Sequence, residues 1–320
     1  MINPYESVNW ETVYKVVSAS HMHLTNQDAF DNAYQKGGIR HFPISNYYPS
    51  APSYPLDAPL YPMKLTRIPE DVLGMPNAEH HSFTQNPYAS THLLALGSVL
   101  TSGKPIGEKP VGFNDTIDNF CCNVKKTMLF QKGGGVVIAH PKWSFLPVSR
   151  LVELLDAHDN IIGMEIYNAT AADANKYAYE RTLPSYDQWD EILSTGRYTL
   201  GFWVPDHRLE GKGDAPGKNI LLAESYTEEA CALAYGKGAF YGMMELTDSA
   251  FERIEASPNS LYVCVNERCD IKFISERGVY KKIQDATELS VDWTENEKPL
   301  FLRIKASRER GTIYSQPVQY

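Results

Sequence analysis

The sequence predicts an α/β fold in which a TIM-like barrel is followed by a small all-β domain. Across residues 15–245 short apolar runs alternate with amphipathic segments, and His, Glu or Asp stand where several of these runs end. Beyond about Ser257 the runs are short and often alternating, without a helical pattern. Alternating strands and helices build a parallel sheet whose active site lies at the strand ends. We therefore expect a barrel over residues 1–256 and a β domain over 257–320.

Composition and charge restrict the class of protein. With 320 residues, 43% hydrophobic and 22% charged, the chain is that of a globular protein with one large core. The 30 basic and 39 acidic residues give a net charge of −9, which argues against nonspecific binding to nucleic acid or anionic membranes. Five cysteines, no membrane-length apolar run and no apolar core in the first 20 residues predict a reduced, cytoplasmic protein.

The first apolar run, Val16–Leu24, presents two histidines. Side chains two apart on a strand share a face, so His21 and His23 can share one metal ion. The chain has nine histidines, and a His-x-His arises by chance in roughly one of four chains of this composition. The pair alone therefore does not decide between a metal site and a chance pairing; the later His, Glu and Asp positions favour the metal site.

The next residues predict a strand–helix–strand unit. Thr25 is the expected N-cap of a helix whose apolar face includes Phe30 and Ala33, and Gly37-Gly38 ends it. Ile39–Ile44 is then the second buried strand. Such a repeat is typical of parallel sheets.

A segment rich in proline and tyrosine follows, from Ser45 to Pro76. A loop of this length in a compact enzyme is usually functional or disordered, and its aromatic content favours order. We expect a lid beside the pocket that favours small substrates.

The remaining alternation completes the barrel. The further predicted elements are strands at His92–Gly97, Val136–Ala139, Ile161–Tyr167, Thr199–Val204, Asn219–Leu222 and Phe240–Met244, and helices around 117–128, 151–155, Ala169–Tyr179, Tyr186–Ser194 and Thr227–Lys237. Seven or eight βα units indicate a barrel. The runs Leu261–Val265, Ile271–Ile274, Leu289–Trp293, Phe301–Ala306 and Thr312–Tyr314 predict an antiparallel sheet or sandwich with a structural role.

The ordered set of ligand-type residues resembles that of the PHP (polymerase and histidinol phosphatase) superfamily of metal-dependent phosphoesterases, over about residues 15–245. The resemblance is carried by His21-x-His23, Glu79, His92, His140-Pro141 and Asp206-His207. It implies a distorted (β/α)7 barrel that holds two or three Zn, Mn or Fe ions at the strand ends, with the β segment as an accessory domain. The implied metal ligands are His21, His23, Glu79, His92, His140, Asp206 and His207.

Two departures from the family pattern leave alternatives open. Ser45-Asn46-Tyr47 stands where the family has Thr-Asp-His, so a third metal position is either absent or served by His80, His81 or Tyr47. The family also ends with Asp-x-His, whereas Asp206 and His207 are adjacent. Either the backbone bends after Pro205 or only one of the two binds metal; Asp206 is the surer ligand.

The expected reaction is hydrolysis of a small organic phosphate ester by metal-bound hydroxide. Glu79 would bridge two ions, while His207 or a metal-bound water would protonate the leaving alkoxide. Arg208 and Lys142 follow ligand positions and either clamp the nonbridging oxygens or are ordinary solvated charges. Glu165, inside a buried strand, is expected to pair with a ligating histidine.

Two other functions fit the same residues. Barrels with His-x-His also serve amidohydrolase-like C–N or C–O hydrolysis. A degraded barrel without the family's Thr-Asp-His could instead act as a non-catalytic binding protein.

Overall fold

The structure is a computed structural model. It describes residues 1–47, 65–81, 83, 86–88, 90–99, 116–173, 179–211, 216–245 and 248–320. Most of the Pro- and Tyr-rich segment, residues 48–64, lies outside this part, so the lid stays a prediction. In the described part, no helix is both long enough and apolar enough to cross a membrane.

Most strands overlap predicted apolar runs. The strands are β1 Tyr14–Ser18, β2 His41–Phe42, β3 Leu73–Gly74, β4 Glu79–His80, β5 Leu93–Leu96, β6 Gly135–Ile138, β7 Ile161–Asn168, β8 Leu200–Val204, β9 Gly217–Ala223, β10 Phe240–Met244, β11 Phe251–Ser257, β12 Ser260–Ser275, β13 Gly278–Asp292, β14 Phe301–Arg308, β15 Gly311–Ser315 and β16 Val318–Gln319. However, β1 ends at Ser18, before His21, and four strands (β3, β4, β11 and β16) were not predicted. Two of the predicted C-terminal runs, Leu261–Val265 and Ile271–Ile274, belong to one long strand, β12.

The helices lie between these strands. They are α1 Gln27–Gln35, α2 Ile117–Lys126, α3 Val148–Ala157, α4 Tyr179–Thr182, α5 Tyr186–Ser194, α6 Arg208–Gly211 and α7 Glu228–Lys237, with a 3-10 turn at Glu295–Glu297. The N-cap of α1 is Asn26, whose side chain accepts a hydrogen bond from the Ala29 amide, so the predicted cap at Thr25 is wrong by one residue. Residues 169–173 do not form the first part of the predicted helix.

The α/β class is confirmed, but the described strands form two sheets and no closed one. One sheet runs β11-β12-β14-β15-β10-β9-β1-β2-β3, with β13 on β12 and β16 on β14; the other runs β4-β5-β6-β7-β8. Strands β1–β3 and β6–β8 are parallel, as predicted. The expectation of parallel strands throughout is wrong, because β9 is antiparallel to β1 and β10, and β5 is antiparallel to β4 and β6.

Backbone hydrogen bonds join the two sheets just beyond the ends of β1 and β2. The Asp206 amide donates to the His21 carbonyl at 2.9 Å, and the His23 amide donates to the Asp206 carbonyl at 3.3 Å. The Glu79 amide donates to the Ser45 carbonyl at 3.0 Å. These bonds hold residues 21–23 between the two sheets. The C-terminal ends of β2 and β8 and the first residue of β4 lie around them.

The C-terminal strands extend the first sheet. Strand β15 pairs with β10 through Tyr241 and Ser315 among others, and buried Leu221 and Phe273 belong to the same apolar core. A boundary between domains at residues 256 and 257 stays a prediction.

Candidate metal centre

Side chains that are far apart in sequence converge where the two sheets meet. They fall into four overlapping groups whose ligand atoms lie within 4.8 Å of one another: His21, His23 and Glu79; His21, His140 and Asp206; His23, Asp206 and His207; and Glu79, His92 and His140. All seven residues predicted as ligands therefore lie in one cluster. Five of them are buried with His21 and His23 wholly inaccessible, whereas His92 and His207 are partly exposed.

His21 and His23 project to the same side, as the alternation of an extended chain requires. Their Nε2 atoms are 3.1 Å apart. Met22 between them points the other way and is fully buried in the apolar core. The two imidazoles thus turn one nitrogen each toward a common point.

The Glu79 carboxylate lies between two pairs of histidines. Its Oε2 is 3.0 Å from Nε2 of His23 and 3.3 Å from Nε2 of His21. Its Oε1 is 2.5 Å from Nδ1 of His92 and 3.3 Å from Nε2 of His140. Each oxygen therefore faces a different pair of imidazoles, and the contact with His92 is a direct hydrogen bond.

The chain bends at Asp206, which brings the adjacent Asp206 and His207 to one site. Asp206 has φ +54°, a left-handed conformation that is uncommon outside glycine and costs of order 1–3 kcal/mol. Its Oδ1 lies 3.3 Å from Nε2 of His21 and 3.4 Å from that of His23. The His207 ring stacks on His23 with centroids 3.9 Å apart and an interplanar angle of 7°. Of the two alternatives left open by the sequence, the bend is the one observed.

The spacing of these atoms fits a divalent cation. Bonds of about 2.0–2.1 Å to a tetrahedral ion place its ligands roughly 3.3–3.4 Å apart. The contacts of His21, His23 and Asp206 span 3.1–3.4 Å. The buried Oδ1 atom of Asp206 accepts no hydrogen bond within the described part of the chain. Imidazole nitrogens and carboxylate oxygens, which divalent transition metals favour as ligands, converge at this spacing, so the residues present fit a metal ion.

The charge of the cluster shifts the pKa of its members. Burial alone would raise the pKa of Asp206, but the nearby imidazoles, with His21 the strongest, lower it to about 2. Burial alone would lower the pKa of His21, but the carboxylates, with Asp206 the strongest, raise it well above its ordinary value. The carboxylates therefore favour a proton on His21, which a metal ion bound by this imidazole would displace.

A second layer of hydrogen bonds holds the ligand-type residues in place. Glu165 Oε1 lies 2.5 Å from Nδ1 of His21, and its Oε2 accepts from the His140 amide at 2.8 Å. The Asn168 side-chain amide donates to Glu165 Oε2 at 2.9 Å and to Asp206 Oδ2 at 3.0 Å. The expected pairing of Glu165 with a histidine is thus observed. Asn168 was not predicted from the sequence, although it is a polar residue that ends a buried strand, like the predicted ligands.

A small cavity of about 160 Å³ opens onto the cluster. It is lined by Tyr47, Glu79, His92, His140, Trp143, Thr170, Ala171, Asp206 and His207. The Trp143 ring contacts two ligand-type imidazoles, with centroids 4.9 Å from His140 and 5.6 Å from His92. Trp143 was also missed, because an aromatic residue three positions after His140 has no signature of its own.

The structure separates the candidates for a third metal position. Tyr47 lies beside the cluster, its ring 5.1 Å from those of His23 and His81. His80 faces away, against Phe120, and belongs to none of the four groups. Neither ring nitrogen of His80 has a hydrogen-bond partner in the described residues, and burial lowers its pKa to about 3.

The two predicted phosphate clamps have different surroundings. Lys142 Nζ lies 2.6 Å from Oδ2 of Asp187, an exposed carboxylate. Arg208 is half-buried and begins α6, directly after the bend at Asp206. Their roles stay predictions.

Comparisons with known proteins leave the family open. No protein-family model matches the chain, and no curated protein matches it. One solved structure is similar, that of a two-domain protein containing a predicted PHP-like metal-dependent phosphoesterase from Bacteroides vulgatus ATCC 8482. It shares 10% identity over 97% of this chain and 96% of that one, with a TM-score of 0.47. The chemistry inferred below therefore rests on the geometry of the cluster.

Proposed function

We propose that this chain is a metal-dependent phosphoesterase of the PHP type that hydrolyses a small organic phosphate ester. The observation that carries the proposal is the Glu79 carboxylate, each of whose oxygens faces a separate pair of imidazoles. The residues of the cluster would hold two divalent cations, one beside His21 and His23 and one beside His92 and His140. Nitrogen and oxygen donors of this kind suit Zn, Mn or Fe.

The proposal extends to the architecture and setting of the chain. We infer that the two sheets are the halves of a distorted (β/α)7 barrel, since backbone hydrogen bonds link them at the cluster. The strands beyond residue 256 would be its accessory domain. The cysteines of the described residues are free, in keeping with the reducing cytoplasm.

The carboxylates explain why a phosphate substrate would require the cations. Glu79 and Asp206 are buried and line the cavity, and Glu165 is buried in contact with His21. Their negative charge would oppose the approach of a phosphate group, even though a proton on His21 would offset part of it. Two bound cations would reverse that charge and lower the pKa of a bound water toward neutrality. They would also stabilise the negative charge on the attacking and leaving oxygens of an in-line displacement.

The chain's own residues would orient and protonate the reactants. Glu165 accepts a hydrogen bond from Nδ1–H of His21, so the Nε2 atom of that imidazole would be free to bind a cation that displaces its proton. His207 is partly exposed at the cavity and is our candidate for protonating the leaving alkoxide. Trp143 and Tyr47 line the cavity and would limit the entry of water. A volume of about 160 Å³ is below the roughly 300–1,000 Å³ of drug-sized sites, which favours a small substrate.

The experiment begins with protein purified without chelators. Elemental analysis should find stoichiometric transition metal, and the protein should hydrolyse an aryl phosphate with inhibition by inorganic phosphate. Chelation should abolish turnover and readdition of the metal should restore it. An amidohydrolase would bind metal but neither turn over aryl phosphates nor respond to phosphate, and a binding protein on a degraded barrel would carry no stoichiometric metal; either result would overturn the proposal.

A further inference from the structure

A second cavity lies against the first sheet and shares no lining residue with the cavity at the metal centre. Strand β9 places Asn219 toward the interior, where its side chain accepts a hydrogen bond from the Trp203 amide and contacts Ser20. Because side chains alternate along a strand, its neighbours Lys218 and Ile220 point to the other face. There they line a cavity of about 570 Å³, within the roughly 300–1,000 Å³ typical of small-molecule sites.

The floor of this cavity is apolar apart from one lysine. Ile220 pairs across the sheet with Val17, and Lys218 pairs with Met243. All four side chains line the cavity. Its rim carries charged side chains from the end of α1 and from the β14–β15 turn, namely Lys36, Arg308, Glu309 and Arg310, together with Asp248.

Lys218 is a buried cation that contacts a neutral carbonyl. Only 5% of the residue is exposed, and its Nζ donates to the Gly37 carbonyl at 2.8 Å. Within the described part of the chain, no carboxylate forms an ion pair with it. Burial lowers the pKa of Lys218 to about 8. A buried ammonium is costly unless it is paired, and a single carbonyl satisfies one of its three donors.

We propose that this cavity, the Lys218 cavity, is a second ligand site, which binds a small molecule through a phosphate or other multiply charged oxyanion held by Lys218. Lys36 and Arg310 at the rim are exposed and add two positive charges, which Asp248 and Glu309 on the same rim offset, so Lys218 supplies the net positive charge. The fourth basic residue of the rim, Arg308, is paired with Glu267. The apolar floor would take the uncharged part of the ligand. The site is separate from the metal centre and does not depend on the proposed hydrolysis.

A purely structural role for Lys218 is the alternative to be tested. Gly37 directly follows the C-cap of α1, so the lysine could act only by holding the end of that helix. That role predicts no response to oxyanions. The two roles are therefore separable by a binding measurement at the cavity itself.

The test uses the full-length, metal-loaded protein with methyl-13C-labelled methionine. Met243 lines the cavity, and Met22 lies between His21 and His23. Their methyl signals, assigned with Met→Leu variants, report separately on the two sites. Titration with inorganic phosphate should shift the Met243 signal saturably, whether or not Met22 responds. Sodium chloride at the same ionic strength should not reproduce the shift.

Variants decide what holds the anion. Lys218→Leu should abolish the saturable shift of the Met243 methyl signal with phosphate. The rim variant Lys36→Gln/Arg310→Gln alters only exposed side chains and should weaken phosphate binding by roughly tenfold or more. Lys237→Gln, an exposed lysine paired with Glu224, should leave it unchanged. If Lys218→Leu fails to fold, the rim variant still decides. A Met243 signal that does not shift with phosphate, or an unaltered affinity for phosphate in the rim variant, would overturn the proposal.

Discussion

Glu165 and His21 form the shortest link between the second layer of hydrogen bonds and the candidate metal centre, with Oε1 of one 2.5 Å from Nδ1 of the other. The two residues are 144 positions apart and both are buried. The contact fixes the tautomer of His21 and so directs its other nitrogen toward His23 and Asp206. Glu165 is thus a positioning residue for a ligand-type imidazole.

Weakening this contact should lower metal affinity without unfolding the protein. In Glu165→Gln a neutral amide oxygen replaces the carboxylate, and we expect metal affinity to fall by roughly 10–100-fold. Competition with a chromophoric chelator measures it. Glu153→Gln, on an exposed part of α3, is the matched control and should bind metal like the parent. Parent-like affinity in Glu165→Gln would show that the contact does not position His21.

Removing the charge of the carboxylate between the histidine pairs should have a larger effect. Glu79→Gln retains the shape of the side chain but lacks the charge to bridge two cations. We expect turnover of aryl phosphate to be lost and bound metal to fall below the parent's content, with an unchanged circular dichroism spectrum. The exposed Glu229→Gln serves as control. Full activity in Glu79→Gln would refute its bridging role.

A buried histidine outside the cluster should make stability depend on pH. His41 bonds through Nδ1 to the Ser18 hydroxyl at 2.9 Å, and burial lowers its pKa to about 3. The native state therefore keeps it neutral, whereas the unfolded chain protonates it below its ordinary pKa of about 6.5. Protonation of His41 in the unfolded chain therefore lowers the free energy of unfolding as pH falls from about 6.5 toward 3. At pH 5 the loss is about 2 kcal/mol.

His41→Leu removes this term, so urea unfolding at pH 7.5 and pH 5 should separate the two proteins. The parent should lose about 2 kcal/mol more than the variant between these pH values. The Ser18 hydroxyl keeps its hydrogen bond from Tyr235 in the variant, which limits other changes. The same pH dependence in both proteins would place the titration elsewhere.

The aromatic wall of the small cavity should affect substrate binding more than the chemical step. Trp143 packs on His92 and His140 and lines the cavity, but it offers no ligand to a metal. Trp143→Ala should raise KM for an aryl phosphate by up to about tenfold, with kcat and metal content little changed. Trp143→Phe should restore most of the affinity. A loss of kcat with an unchanged KM would contradict this role.

Local sequence patterns predicted most elements and most of the cluster. Helix α5 and strand β10 have their predicted bounds, because an amphipathic period and a buried apolar run are each encoded within ten residues. The predicted ligands converge because they stand near strand ends that meet at one place.

Features that depend on distant contacts were not predictable in this way. The antiparallel direction of β9 depends on its pairing with β1 and β10, about 200 and 20 residues away in sequence respectively. The bend at Asp206 is likewise held by hydrogen bonds to His21 and His23. Nothing in the adjacent Asp-His pair specifies it.

The central claim, that these histidines and carboxylates hold divalent cations, is tested most directly by anomalous scattering. Crystals of protein purified without chelators would be measured on both sides of the Zn, Fe and Mn absorption edges. We predict two anomalous peaks on either side of the Glu79 carboxylate, one in contact with His21 and His23 and one with His92 and His140. A cluster without an anomalous peak, in crystals grown with millimolar concentrations of these metals, would contradict the claim.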